Sequence, residues 1–215
     1  MDVDPRQYEQ IAISDKDIQN IVVSYLVHNY FNDTAESFIA SVKMKPPPYN
    51  LDDMEKRKET LRFVSEGNVP RAIELTEELA PGLLEKNKDM HFDLLCLHFV
   101  ELVCAKKCTE AIEFAQTKLT SFGKVQKYVS KLEDSMAMLA YEEPRNSPMS
   151  HLLSADHRQQ VADSLNRALL EHKGQPRYPA LERLLQQATL ARQYLTQENG
   201  KDLYPPFSLK DFFKS

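Results

Sequence analysis

The stretch from Ser14 to Ser41 encodes two short amphipathic helices in succession, and it constrains the fold more than any other part of the chain. Five apolar residues follow the i, i+3, i+4, i+7, i+8 spacing of one helix face: Ile18, Ile21, Val22, Tyr25 and Leu26. Ser14 with Asp17 is close to a capping box, and Asn29 is a candidate left-handed residue at the end of the helix. Helices this short cannot bury such a stripe alone, so they must pack on a second copy or on the rest of the chain.

A second helix is expected directly after the first, with Asn32 or Asp33 as its N-cap. Its apolar residues are Ala35, Phe38, Ile39 and Val42. The helical hairpin should end near Lys43, because the prolines at 46–48 prevent a helix and favour a stiff extended link. A short Pro-rich tract can also bind SH3-type domains, so this link is either a spacer or a ligand.

The hairpin resembles the LisH motif, whose core reads roughly I-x-x-L/V-x-x-Y-L-x-x-x-G-Y-x-x-T/A-A-x-x-F. The matching residues are Ile18, Val22, Tyr25, Leu26, Tyr30, Thr34, Ala35 and Phe38, with Asn29 in place of the usual Gly. LisH segments dimerise through a four-helix bundle. The resemblance therefore implies a homo- or hetero-oligomer whose interface contains Ile18, Ile21, Val22, Tyr25, Leu26, Tyr30 and Phe38.

Composition favours an all-α protein. Of the 215 residues, only 5 are Gly and none is Trp, and residues with high helix propensity such as Leu, Ala, Glu and Lys are frequent. The net charge of -5 gives no support for binding nucleic acid or an anionic membrane. The acidic, polar N-terminus does not resemble a signal peptide, and the three Cys are expected as free thiols in a reducing compartment. We therefore expect nine or ten helices in a single compact unit.

The rest of the chain predicts helices separated by Gly and Pro breaks. Asp52 or Asp53 caps a helix that stops at 66–68, and further helices cover about 90–105, 125–141 and 156–171. Segment 90–105 is apolar over most of its circumference, which is typical of the buried centre of a helical domain. The last long helix begins at Pro179, and six of its residues are expected to be buried: Leu181, Leu184, Leu185, Ala188, Ala191 and Leu195.

Two further patterns bear on organisation. The sequence AIEL at 72–75 recurs as AIEF at 111–114, and Thr109 is expected to cap the helix that carries the second copy. This weak internal repeat predicts solenoid-like packing of helical hairpins. The C-terminal tail carries more aromatic residues than a solvated segment usually does, so it either folds back or docks on a partner. The candidate docking residues are Tyr204, Phe207, Phe212 and Phe213.

A second resemblance covers most of the remaining chain. Residues 50–108 resemble a CTLH domain, and the supporting residues are Arg57, Val64, Gly67, Ala72, Ile73, Leu84, Phe92, Leu95, Phe99, Glu101 and Leu102. Residues 104–198 resemble the CRA region. The expected organisation is a flexible N-terminus (1–13), LisH (14–43), CTLH (50–108), CRA (104–198) and an aromatic tail (199–215). By the same resemblance, the last CRA helices should fold back beside the LisH hairpin.

The order LisH–CTLH–CRA resembles the small scaffold subunits of the CTLH (Gid) E3 ubiquitin ligase. This implies a non-catalytic adaptor in the cytoplasm and nucleus that links RING-bearing subunits to a substrate-receptor subunit. The implied partners are other LisH–CTLH–CRA proteins, including RING-bearing and SPRY-bearing ligase subunits, and neither nucleic acid nor membrane. The alternative is a dimeric LisH adaptor in a cytoskeletal or transcriptional complex unrelated to ubiquitin.

The sequence gives little support for catalysis or metal binding. Cys104 and Cys108 are expected one helical turn apart and could share a metal, but the C-x-x-C pairs of structural zinc sites are missing. Three Cys are too few for a RING domain. Cys96 and His98 should point to different sides of one helix, which argues against a catalytic pair. With no phosphate-binding loop or hydrolase motif, we expect no catalytic, cofactor-binding or metal-binding residues.

Overall fold

The computed structural model describes residues 12–45 and 51–199. These residues form helices and no strand, which confirms the all-α prediction. The α-helices are α1 (Asp15–His28), α2 (Asn32–Ser41), α3 (Leu51–Ser65), α4 (Val69–Leu79), α5 (Leu83–Lys86), α6 (Lys88–Cys104), α7 (Cys108–Phe114), α8 (Gln126–Ala137), α9 (Ala155–His172) and α10 (Ala180–Asn199). A π-helical turn at Ala115–Leu119 continues α7.

The chain divides into two compact units, so the expectation of a single unit is wrong. The first unit contains α1, α2 and α10, and the second contains α3 to α9. In the first unit α10 packs on α1, where the backbone N–H of Ala180 donates to the hydroxyl of Ser24 at 3.0 Å. Residues near 190 and the hairpin therefore lie in one unit, which is the arrangement that the LisH–CRA resemblance implies.

The prediction for the start of α1 is confirmed, and the prediction for its end is wrong. The capping box is present, since Ser14 Oγ accepts from the backbone N–H of Asp17 and the Asp17 carboxylate accepts from that of Ser14. The Ser14 hydroxyl, at 2.7 Å, and the Ser14 backbone N–H, at 3.0 Å, both donate to the Asp17 carboxylate, and these two hydrogen bonds lower the pKa of Asp17. The left-handed residue is Tyr30, with φ 52°, and not Asn29, with φ −93°. Because the N–H of Phe31 bonds back to Leu26 O at 3.0 Å, the reversal of φ falls one residue later than predicted.

The start of α2 also differs from its prediction. The residue at the N-cap position is Phe31, and no side chain caps the helix there. Asn32 and Asp33 instead form the first turn of α2. The tight closure of the α1–α2 turn leaves no room for a separate capping residue, because Phe31 both completes the end of α1 and begins α2.

Lys43 ends α2 in the left-handed conformation, with φ 51°. The N–H groups of Lys43 and Met44 bond back to Ala40 O and Ile39 O at 3.3 and 3.1 Å. A residue with a Cβ is strained in this conformation, and the Lys43 side chain is exposed. We expect Lys43→Gly to stabilise the hairpin by about 1 kcal/mol, measured by hydrogen exchange of the α2 amides.

The matched control for this change is Lys45→Gly, which removes the same charge nearby at a position without positive φ. Lys45→Gly should give no gain in protection, because it relieves no strain and adds freedom to the unfolded chain. Equal effects of the two variants would show that loss of a lysine charge, and not relief of strain, changes the stability.

The second unit is built around α6, as its apolar circumference predicted. Nine of its residues are buried: Met90, Phe92, Leu94, Leu95, Cys96, Leu97, Phe99, Val100 and Val103. Helices α4 and α7, which carry the two copies of the internal repeat, both pack on α6, and Ala72 and Ala111 are fully buried. A small residue at the same place in each helix allows close approach to α6. Helix α7 begins at Cys108 without a side-chain cap, so Thr109 is not its N-cap.

The turn between α3 and α4 meets α6 and α9 at one point. Gly67 has φ +82°, and a Cβ built there would lie 3.0 Å from Cδ of Glu101. The Glu101 carboxylate accepts from Arg158 Nε at 2.7 Å, and this ion pair is mostly shielded from solvent. Gly67, Glu101 and Arg158 thus form one junction of the second unit, although they are far apart in the sequence. Gly67 and Glu101 belong to the set matched to CTLH.

Candidate protein-interaction surfaces

The outer face of α1 carries the predicted LisH residues. Ile18 is 52% exposed and Tyr25 is 41% exposed. The other predicted interface residues are half-buried within the single chain: Ile21, Val22, Leu26, Tyr30 and Phe38. Ile18 and Tyr25 lie two helical turns apart on one face of α1, so both are available to a partner. Their role in pairing stays a prediction.

Helix α1 has a second apolar side that the sequence stripe missed. Val23 is the buried residue of α1, 3% exposed, and it lies about 140° around the helix from Ile18 at 100° per residue. In α2 the buried residues are Ala35 and Ile39. The hairpin and α10 therefore use the Val23 side as their own core, while Ile18 and Tyr25 of the predicted stripe stay exposed.

The prediction that α10 buries its leucines is wrong for the single chain. Leu181, Leu184 and Leu195 are 40%, 52% and 39% exposed, and Ala188 and Ala191 are exposed as well, while Leu185 is half-buried. Among the described residues of the first unit, only α1 and α2 are available for α10 to pack against, and they cover too little of its circumference. A 20-residue helix with an uncovered leucine stripe is typical of an element that packs on another chain.

We define the apolar surface of the first unit as its exposed large apolar side chains. It contains nine of the twelve such side chains among the described residues, although this unit is the smaller of the two. They are Ile13, Ile18, Tyr25, Phe31, Leu181, Leu184, Leu190, Tyr194 and Leu195. Because this exposure is concentrated in one unit, the apolar surface of the first unit is a candidate interaction surface.

The second unit has a groove of about 950 Å³ whose floor is one side of α6. Helix α4 forms one wall, and the other wall comes from the end of α7, its π-helical turn and the start of α8. The lining is mainly apolar and aromatic: Pro70, Ile73, Leu95, Phe114, Phe122, Val125 and Tyr128. The sequence did not predict this groove, although His91, Leu95 and His98 recur at i, i+4, i+7 on one side of α6.

Two histidines lie in the floor of the groove. His91 stands edge-on to Phe122 with 6.1 Å between ring centres, and His98 edge-on to Phe114 with 4.8 Å. Burial lowers the pKa of both imidazoles, so both rings are neutral at pH 7. Their buried Nδ1 atoms have no hydrogen-bond partner among the described residues. The floor is therefore uncharged.

Two of the cysteines, Cys96 and Cys104, lie where burial disfavours the thiolate form. Burial raises the pKa of the Cys96 thiol to about 12 and also raises that of Cys104, so neither is a thiolate at neutral pH. Cys104 ends α6 and Cys108 begins α7, so the two are separated by a turn and do not share one helix as expected. Within residues 12–45 and 51–199, no group of three or more His, Cys, Asp or Glu side chains could hold a metal ion.

Two further sequence predictions concern the membrane and the C-terminal tail. No helix in the described parts of the chain combines the length and apolar character needed to cross a bilayer. The candidate tail residues Tyr204, Phe207, Phe212 and Phe213 lie outside the described residues.

Fold and surfaces define an all-helical protein with two apolar surfaces suited to binding other chains. Residues 53–196 match the family model of the CTLH/CRA C-terminal to LisH motif domain. The glucose-induced degradation protein 8 homolog of Nematostella vectensis is 33% identical over 172 residues, 79% of this chain and 75% of that protein. The protein GID8 homolog of Arabidopsis thaliana is 29% identical over 201 residues, 93% of this chain and 81% of that protein. The chain therefore belongs to the CTLH/CRA family and is of the GID8 type.

More distant relatives share the same region. GID complex subunit 8 of Schizosaccharomyces pombe is 26% identical over 183 residues, covering 79% of this chain and 75% of that protein. The Ran-binding protein M homolog of Arabidopsis thaliana is 27% identical over 217 residues, but only 46% of that longer protein is covered. The part in common is thus a module that also occurs within a larger protein.

Proposed function

We propose that this chain is a non-catalytic scaffold subunit of a GID/CTLH E3 ubiquitin ligase complex. It would join other LisH–CTLH–CRA proteins through the apolar surface of its first unit and link RING-bearing subunits to a substrate receptor. The observation that carries this proposal is α10, whose leucines stay exposed beside the hairpin. The family membership and the GID8-type relatives support it, and one relative is named as a GID complex subunit.

The proposed mechanism is positioning. A scaffold that holds a substrate receptor and a RING subunit in one assembly raises the effective concentration of substrate lysines near charged ubiquitin. The residues proposed for pairing are the predicted LisH interface residues, with Ile18 and Tyr25 as the exposed anchors. This function requires no catalytic group, and the raised thiol pKa of Cys96 agrees with a structural role for that residue. The proposed location is the cytoplasm and nucleus.

The test is affinity purification of the tagged full chain from cells that express it, followed by mass spectrometry and a ubiquitylation assay of the eluate. We expect RING-bearing LisH–CTLH relatives in the eluate, together with ubiquitin transfer. A variant with Ile18→Asp and Tyr25→Asp should lose those partners that bind the first unit. Recovery of cytoskeletal or transcriptional complexes with no RING-bearing relative would overturn the ligase proposal and favour a free-standing adaptor.

A further inference from the structure

The groove of the second unit has a charge pattern that does not match the rest of the chain. The protein carries a net charge of -5, yet three lysines line this groove against one glutamate. Glu74 is held by Arg71 at 2.8 Å, and Lys127 is held by Asp89. The two remaining lysines, Lys88 and Lys118, are exposed and form no ion pair with any residue that the structure describes.

Lys88 and Lys118 lie on different elements of the groove, the floor helix α6 and the wall that contains the π-helical turn. Lys88 is at the start of α6 and Lys118 is in the π-helical turn, yet both act electrostatically on the His91 ring between them. A π-helical turn is rare and is frequently found at functional sites. In this chain it widens the end of α7 at the residues that form the wall, including Thr117 and Lys118. Glu77 on α4 opposes the two lysines at His91, so two positive charges against one negative charge leave this end of the groove positive. The floor beyond it is neutral and apolar.

We propose that this groove binds a short amphipathic peptide segment of a partner protein, with apolar side chains against Ile73, Leu95 and Phe114 and carboxylates near Lys88 and Lys118. Its volume and mainly apolar lining match those of sites that bury a few anchoring side chains. The apolar surface of the first unit has no part in this site, so the inference does not depend on the proposed ligase role.

Other classes of occupant match the groove less well. A small polar metabolite needs several converging hydrogen-bond groups, whereas this lining is mainly apolar, with two neutral imidazoles in the floor and the hydroxyl groups of Thr117 and Ser121 in one wall. A membrane surface is bound by a convex apolar helix face, and this site is concave. A nucleic acid would require many more unpaired cations than two. An acidic, apolar peptide complements both the charge at one end and the floor.

The experiment is selection of 12-residue peptides from a random display library on the purified full chain, with fluorescein-labelled copies of the selected peptides used for affinity measurements. Binding is measured to the wild type and to a variant with Lys88→Glu and Lys118→Glu, both at exposed positions. The control variant carries Lys56→Glu and Lys58→Glu on α3, which changes the net charge equally away from the groove. A third variant, Val125→Ser, removes an exposed apolar group from the wall.

We expect selected peptides to be rich in Asp or Glu beside Leu, Phe or Ile. Their affinity should fall about tenfold in the Lys88/Lys118 variant, fall several-fold in Val125→Ser and stay unchanged in the control. The loss should shrink at high salt, because the rim charges are solvent-exposed. Selection of basic peptides, no enrichment, or equal binding to all variants would overturn the proposal. A fatty acid that displaces the peptides at lower concentration would assign the groove to a small amphiphile instead.

Discussion

Replacing Ile18 and Tyr25 with aspartate should turn the oligomer that we propose for this chain into a monomer. Both side chains are about half exposed in the single chain, so the folded monomer should lose little stability. In a paired hairpin the same positions would be desolvated, and each buried carboxylate would cost several kcal/mol. We expect the dissociation constant to rise roughly 100-fold or more, measured by sedimentation velocity over a series of concentrations.

The control for this prediction places the same charges on other faces of the hairpin. Asn20→Asp and Ser37→Asp add two carboxylates at exposed polar positions on α1 and α2, and they should leave the oligomer intact. Circular dichroism should show equal helicity for both variants. If the mass of the Ile18/Tyr25 variant does not change, the hairpin stripe does not form the seam, and the exposed leucines of α10 become the next candidate. Phe38 is a poorer target, because it is half-buried and its loss would also destabilise the hairpin.

Local signals in the sequence predicted the helices well, although Asp52 and Asp53, expected to cap α3, both lie inside its first turn. The capping box at Ser14, the end of α3 at Gly67 and the apolar circumference of α6 all depend on residues within one or two helical turns. The all-α class follows from these local preferences together with the scarcity of Gly. The position of the left-handed residue after α1 was missed by one, since Asn tolerates that conformation but the hydrogen bond from Phe31 to Leu26 O determines where the turn closes.

The placement of helices relative to each other could not be predicted from periodicity. A leucine stripe shows that a helix has an apolar face, but it does not show whether that face packs within the chain or on another chain. For α10 the stripe was assigned to the interior, and the structure leaves it exposed. For α1 the stripe was read as a single face, while Val23 on another side provides the core contact. The groove depends on a π-helical turn, for which the sequence gives no signal.

Gly67→Ala should destabilise the second unit by about 2–3 kcal/mol, the largest cost that we expect from adding one methyl group to this chain. The positive φ of Gly67 contributes about 1–2 kcal/mol, because a Cβ clashes with the backbone in that conformation. The added Cβ would also lie 3.0–3.2 Å from the Glu101 carboxyl group, which must shift by a few tenths of an ångström. This shift weakens the ion pair with Arg158 and costs about 1 kcal/mol more. Hydrogen exchange of the buried α6 amides measures the change in the free energy of unfolding.

Gly174→Ala separates these two contributions. Gly174 ends α9 with φ +69° and the same pair of backward hydrogen bonds as Gly67, but a Cβ built there meets no atom within 4 Å. It should therefore cost only the backbone strain. In a chain that already carries Glu101→Ala, Gly67→Ala should cost no more than Gly174→Ala, because nothing remains for the methyl group to displace. If Gly67→Ala lowers the free energy of unfolding equally with and without Glu101, the contact with the Glu101–Arg158 ion pair does not contribute to the cost. In that case the positive φ of the turn alone requires glycine.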